Sequence, residues 1–315
     1  MYSLQFYGRM IADRRMDAYV AALRETVRRD SVVMDLGCGP GVLALIACKL
    51  GARRVYAVEP ENVIGLAREA AAANGFSERI QFFENLSTEI AVPEPATIIV
   101  SDLRGVLPWF QQHIPSIIDA RKRLLARGGV LIPHRDILWA AVVEAPEQYE
   151  ELVGPWQSNK FELDLTAGTR LITNTWRKTP LTPEQFLTEP IRWATVDYYE
   201  VNSPDIRAEI SWRASRNATA HGFAVWFDSE LIEGIGFSNH PGAQQMIYGT
   251  GLFPFTRPVE ISEGEQIKLR LAADFVQNDY VWRWDTDFQK TSFKQSSFYG
   301  VPLTRMLLRK SVNNP

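Results

Sequence analysis

The sequence predicts two structural classes in one chain, an α/β domain followed by an all-β domain. Strand and helix signals alternate from roughly residue 31 to residue 142. Eight of the nine tryptophans lie from Trp139 onward, among short β-prone runs bounded by turn residues. A glycine-rich turn, "DLGCGPG", closes the first strand signal.

Taken in order, "VVMDL" is an apolar strand and "VLALIACKLGA" follows the glycine turn at helical period. "RVYAVEP" reads as a second strand. "NVIGLAREAAAANG" is an alanine-rich helix stopped by Gly75, a residue suited to the position just past a helix. "RIQFFEN" and "TIIVSD" are further strands, and "IPSIIDARKRLLARGG" reads as a helix closed by a glycine pair. "VLIPHRDILWAAVVE" adds more strand. Strands alternating with helices give a parallel, doubly wound sheet. After about Ala145 come "AEISWRAS", "ATAHGFAVWFDSEL", "EQIKLRLAADF" and "YVWRWDTDF", the pattern of an antiparallel sandwich or barrel. Residues 155–190 carry Trp156, Trp176 and several prolines without clear periodicity.

The bulk numbers narrow the function. The chain has 315 residues, 46% of them hydrophobic, enough for two domains. A formal charge of −3 and a pI near 5.9 argue against a nucleic-acid or membrane-surface binder, whose footprint would be basic. Two cysteines, Cys38 and Cys48, show no metal-ligand spacing with a histidine, and no metal is expected. So few thiols point to a reducing compartment. The N-terminal stretch lacks an apolar signal-peptide core, and the longest apolar run is too short to span a bilayer. The expected location is the cytoplasm.

The strongest motif is "VVMDLGCGPG", residues 32–41. Gly37, Gly39 and Gly41 let the backbone turn tightly and approach a ligand. Asp35, two residues before the first glycine, is ill placed for a pyrophosphate and well placed for a cation. S-adenosylmethionine (SAM) carries an ammonium and a sulfonium, and no phosphate. Glu59 ends the second strand, where an acid accepts hydrogen bonds from ribose hydroxyls. "NLSTE" follows the third strand, and its Ser87, Thr88 and Glu89 can meet an adenine edge. Together these predict a class I SAM-dependent methyltransferase domain that releases S-adenosylhomocysteine.

The stretch from Asp35 to Gly75 resembles the SAM-binding segment of the protein arginine methyltransferases nearly residue for residue. "LLARGGVLIPHRDILWAAVVE" resembles that family's passage into its barrel, and "ATAHGFAVWFDSEL" its barrel strands. The resemblance implies N-terminal helices and a Rossmann-like SAM-binding domain over 1–142. It implies a β-barrel domain over 143–315, with 155–190 as a dimerisation arm and a homodimer as the assembly. Through "RMDAY" it implies that Arg15 pairs with the SAM carboxylate while Tyr19 helps cover the cofactor.

The family's catalytic pattern is altered in this chain. Its loop grips a guanidinium with two glutamates, which pin the planar fork and leave the attacking nitrogen richer in electrons. "SDLRGVLPWFQQ" places Asp102 at the first glutamate position and the neutral Gln111 at the second, with Leu103 and Arg104 in place of a tryptophan and a methionine. The family's threonine-histidine-tryptophan triplet corresponds to Met246, Ile247 and Tyr248, with His240 upstream in the same loop. An inward Arg104 would repel a guanidinium and attract an anionic acceptor. Asp102 could act as a general base or orient the acceptor. Methyl transfer to a nitrogen or oxygen of a small-molecule or protein acceptor other than arginine is therefore the first reading. Protein arginine methylation by a divergent loop is the second, and a silent SAM-binding scaffold is the third.

Overall fold

The computed structural model describes residues 2–158, 161–244 and 246–300. Asn159 and Lys160, which fall in the expected arm, lie outside the described residues. The chain divides into two compact units. The first holds the residues up to Leu138 together with Ala194–Pro204 and Trp226–Gly249. The second holds Trp139–Trp193, Asp205–Val225 and the residues from Thr250 onward. Segments 194–204 and 226–249 thus belong to the first unit although they follow residue 142.

The first unit begins with helices α1 (Leu4–Ile11) and α2 (Arg15–Thr26). Ser3 starts α1, its side chain accepting the Phe6 N–H at 3.2 Å. There follow β1 (Val32–Leu36), α3 (Val42–Lys49), β2 (Arg54–Val58), α4 (Ile64–Ala73), β3 (Ile80–Phe83), β4 (Ala96–Ser101), α5 (His113–Arg123) and β5 (Leu125–Ile132). The five strands form one parallel sheet in the order β3-β2-β1-β4-β5. Every residue of β1 is buried, as a central strand covered on both faces requires. The carboxyl ends of β1 and β4, adjacent in that order, carry the glycine turn and the loop after Ser101. A ligand site is expected at that edge of a doubly wound sheet.

One local reading changes. The glycine pair Gly128–Gly129 does not close α5, which ends at Arg123 with Arg121, Lys122 and Arg123 in its last turn. It lies inside β5, where the register with β4 shifts between Ala96 and Ile98. A glycine pair in a strand marks such an irregularity as readily as a helix stop.

The chain continues with β6 (Arg135–Val143), α6 (Pro146–Gln157), α7 (Ala167–Ile172), β7 (Arg177–Thr179), β8 (Ile191–Asp197), β9 (Ile206–Arg213), β10 (Ala218–Ile232), β11 (Ile235–Ser238), β12 (Thr250–Ile261), β13 (Gln266–Val276), β14 (Asp279–Asp287) and β15 (Ser292–Ser296). One sheet has the order β7-β12-β10-β6-β8, with β11 beside β10, and a second the order β15-β14-β13-β9. In the second unit the pairs β10–β12, β12–β7, β13–β14, β13–β9 and β14–β15 are all antiparallel. Its aromatic residues explain the tryptophan bias. Phe253 stacks on Phe223 at 4.9 Å and on Trp176 at 5.5 Å, and meets Trp282 and Trp284 edge-on. The stretch 155–190 holds the end of α6, then α7 and β7. Short helices around prolines hide their period from the sequence. Trp156, Phe161, Leu163 and Leu165 of this segment are exposed.

Candidate functional site

A cavity of about 590 Å³ opens within the first unit. Its wall includes Asp35, Gly37, Gly39, Glu59, Glu61, Ser87, Asp102, Gln111 and Arg15, so the glycine turn and the loop after β4 face one space. At one end the groups are set by backbone. Gly37, Gly39 and Gly41 all have left-handed φ, at 76°, 50° and 81°. A Cβ on Gly37 would lie 2.1 Å from Leu103 Cδ2, so the turn and the acceptor loop touch there. Gly41 has another job. It is not on the cavity wall but starts α3, and a Cβ there would lie 2.7 Å from the Ala67 Cβ of α4.

Two acids complete this end. Glu59 Oε2 accepts the Gly39 N–H and Oε1 the Glu61 N–H, each at 3.0 Å. Burial raises the Glu59 pKa, and these backbone donors oppose that shift. Asp35 accepts the Ala44 N–H at 2.9 Å in the first turn of α3, so it holds the helix start as well as lining the cavity. Burial pushes its pKa up to about 7, and the charges of Glu59 and Asp102 raise it too.

Of the expected adenine residues, Ser87 lines the cavity, whereas Thr88 and Glu89 are exposed and off its wall. Ser87–Glu89 is one tight helical turn whose first carbonyl is held by Arg123 at 2.8 Å, so only its first side chain faces in. Asn85 and Leu86 take the places expected of the other two. Helix α1 contributes Tyr7, Met10 and Ile11, which sequence reasoning missed. The amphipathic pattern of "LQFYGRMI" was their only signal.

At the other end side chains hold one another. Arg15 is 1% exposed; its Nε and Nη2 donate to Asp102 Oδ2 at 2.9 and 2.8 Å, and Nη1 lies 3.1 Å from Asp13. Burial opposes its charge, but Asp102 raises its pKa above the ordinary value. Asp102 Oδ1 accepts the hydroxyl of Tyr19 at 3.2 Å and that of Tyr248 at very short range. Burial and the Asp102 charge together raise the Tyr248 pKa well above its usual value, so the phenol stays a donor. Tyr19 is fully buried and off the cavity wall; it holds Asp102 rather than covering a ligand. His240 packs edge-on against Trp226 at 5.2 Å and is likewise off the wall. Gln111 is exposed on the wall with φ 43°, a left-handed conformation uncommon for a side-chain-bearing residue.

Arg104 departs most from expectation. It lies on the cavity wall rather than toward solvent, but its guanidinium is buried against Asp136, with Nε 3.9 Å from Asp102 Oδ1. Nη1 also donates to Ser229 Oγ at 2.7 Å and Nη2 to the Tyr19 hydroxyl at 2.6 Å. Its carbon lies 5.4 Å from the rings of both Phe227 and Phe237.

The residues fit SAM. Glu59 offers carboxylate oxygens already oriented by backbone for a diol, and the acids around the turn suit a cationic ligand better than a phosphate. Arg15 is on the cavity wall, but its guanidinium is already paired with Asp102 and Asp13 and so presents no free cation to a carboxylate. Among the described residues no group of histidine, cysteine and acidic side chains could hold a metal ion. No described helix is long and apolar enough to cross a membrane.

Comparison with known proteins adds the following. Residues 134–292 match the arginine methyltransferase oligomerization subdomain, and residues 17–137 match the ribosomal protein L11 methyltransferase family. "Probable protein arginine N-methyltransferase 6" of Arabidopsis thaliana is 30% identical over 70% of this chain and 53% of its own length. "Protein arginine N-methyltransferase 1" of Dictyostelium discoideum is 26% identical over 84% and 80%. This chain thus spans about half the length of the Arabidopsis relative. Among solved structures, the Trypanosoma brucei PRMT1 enzyme-prozyme complex with AdoHcy contains a chain that superposes with a TM-score of 0.84 at 22% identity, over 92% of this chain and 96% of that one. Arabidopsis thaliana protein arginine methyltransferase 10 gives 0.81 at 22% identity, over 93% and 97%.

Proposed function

This chain belongs to the protein arginine methyltransferase family, and on that premise we propose that it transfers the methyl group of SAM to a guanidinium nitrogen of a protein arginine through a divergent acceptor loop. The observation that carries the reading is that one cavity is lined both by Glu59 and the glycine turn and by Asp102. The charge of Arg104 is offset by Asp136, and a guanidinium acceptor would compete with Arg15 for Asp102. The names of the relatives point the same way.

SAM would supply a methyl group on a sulfonium: as the acceptor nitrogen takes the methyl in line, the carbon–sulfur bond breaks, S-adenosylhomocysteine leaves and the nitrogen gives up a proton to water. Glu59 would hold the ribose and Ser87 with Asn85 the adenine end, while Arg15, tied to Asp102, would fix that carboxylate beside the cofactor. Asp102 attracts the acceptor guanidinium and orients it, and the side-chain carbonyl of Gln111 accepts one further N–H. The chain's main contribution is alignment, so a loop with one carboxylate suffices. Arginine stays protonated, and the anionic Asp102 draws its charge toward the gripped nitrogens.

A nitrogen or oxygen acceptor other than arginine is the second reading, favoured by the neutral Gln111 and the short reach of Asp102. The exposed apolar side chains of 155–190 and the match to an oligomerization subdomain support a homodimer. Both cysteines are free and buried, which fits a reducing cytoplasm. The test is incubation with methyl-labelled SAM, an arginine-rich protein and a metabolite extract. Methylarginine in the hydrolysed protein is expected. Label confined to small molecules would move the reading to a metabolite acceptor, and no label despite SAM binding would leave a scaffold.

A further inference from the structure

The two ends of the loop from Ser101 to His113 converge on one buried ion pair. Arg104 and Asp136 are both fully buried. Arg104 Nη2 donates to the Tyr19 hydroxyl, which in turn reaches Ser101 O at 2.9 Å and Asp102 Oδ1 at 3.2 Å. On the other side, Asp136 Oδ2 accepts the Tyr198 hydroxyl at 2.6 Å, and Tyr198 lies 3.0 Å from His113 Nε2. His113 opens α5 and sits on the cavity wall. Tyr198 donates its only proton to Asp136, so His113 Nε2 is the donor in that contact.

We infer that Arg104 and Asp136 are a positioning pair that clamps both ends of the acceptor loop, through Tyr19 at Asp102 and through Tyr198 at His113. This rests on the acceptor role given to Asp102. A buried ion pair is weak support for stability as such, because desolvation opposes the attraction. Its better-attested use is to fix one geometry, and here the geometry fixed is that of a loop bearing Asp102 and Gln111. Arg104 also lies on the cavity wall with Nε 3.9 Å from Asp102 Oδ1, so the pair bears on Asp102 directly as well as through Tyr19. Ser229 and the rings of Phe227 and Phe237 hold the guanidinium in that role.

The test uses the full chain with Arg104→Met and Asp136→Ala combined, so that neither charge is left buried alone. Backbone hydrogen exchange is read with SAM affinity, kcat and acceptor KM. Exchange over residues 102–113 is expected to accelerate about tenfold, with β1 and β2 unchanged. The Kd for SAM should stay within about threefold and kcat should fall about tenfold, with little change in KM. Unchanged loop exchange would overturn the proposal, and so would a change in acceptor KM alone. If the double variant does not fold, Tyr198→Phe decides, since it removes one hydroxyl of a residue off the cavity wall and leaves Arg104 and Asp136 paired. Exchange should then rise about threefold or more near His113, and no rise would overturn the clamp. Exchange is read without turnover, so a failure of the methylarginine reading would show separately.

Discussion

The two ends of the cavity are built by different means. At the glycine turn the ligand-facing geometry is backbone, and even Glu59 is aimed by the N–H groups of Gly39 and Glu61. In the loop after β4, Asp102 is held by Arg15, Tyr19 and Tyr248, side chains brought from distant parts of the sequence. A backbone-built end tolerates change only through glycine. A side-chain-built end can exchange partners and so diverge within a family.

Breaking the side-chain end should have the larger effect. Tyr248→Phe removes a hydroxyl donated to a carboxylate, a bond of about 1.5–3 kcal/mol. Steady-state kinetics should show kcat reduced about 10–100-fold, with the Kd for SAM near that of the parent. At the backbone end, Gly37→Ala forces a left-handed φ on a side chain, about 1–2 kcal/mol. It also presses on Leu103. Calorimetry should show SAM bound about tenfold more weakly.

A smaller effect tests the charge of the turn. The folded-state pKa of Asp35 lies near 7, above its unfolded value, so the folded state binds the extra proton between about pH 4 and pH 7. Stability from this group is therefore greatest at low pH and is lost as pH rises through 7. In the ligand-free protein Tm should fall over that window, and Asp35→Asn should flatten the slope. A cationic ligand favours the ionised carboxylate, so SAM should bind about tenfold more tightly at pH 8 than at pH 6. Smallest of all, Thr88→Ala and Glu89→Ala should leave the Kd for SAM within about twofold, since both side chains are exposed and off the wall.

The same contrast explains what was legible in the sequence. Gly37, Gly39 and Glu59 were readable because a tight turn constrains residue type and spacing locally. Four of the five parallel strands and the tryptophan-rich β region followed from periodicity, while the start of β5 read as helix. Ser87 was readable only as one of three neighbours, since a single tight turn decides which side chain faces in. Asp102 was placed by its position after a strand, but its partners were not. Arg15 lies 87 residues away, and Arg104 pairs with Asp136 across 32 residues and Ser229 across 125. No local spacing encodes such pairings. A buried arginine and a solvent-facing one look alike until the carboxylate partner is found.

The most direct measurement compares Glu59→Gln with Asp102→Asn, reading the Kd for SAM and methylarginine formation on the same preparations. Glu59→Gln should weaken SAM binding about 10–100-fold while transfer recovers at saturating SAM. Asp102→Asn should lower kcat about 10²–10³-fold, with a smaller change in the Kd for SAM because Asp102 also holds Arg15 on the cavity wall. If both variants lose binding and transfer in equal proportion, the cavity does not divide into a cofactor end and an acceptor end, and the account is contradicted.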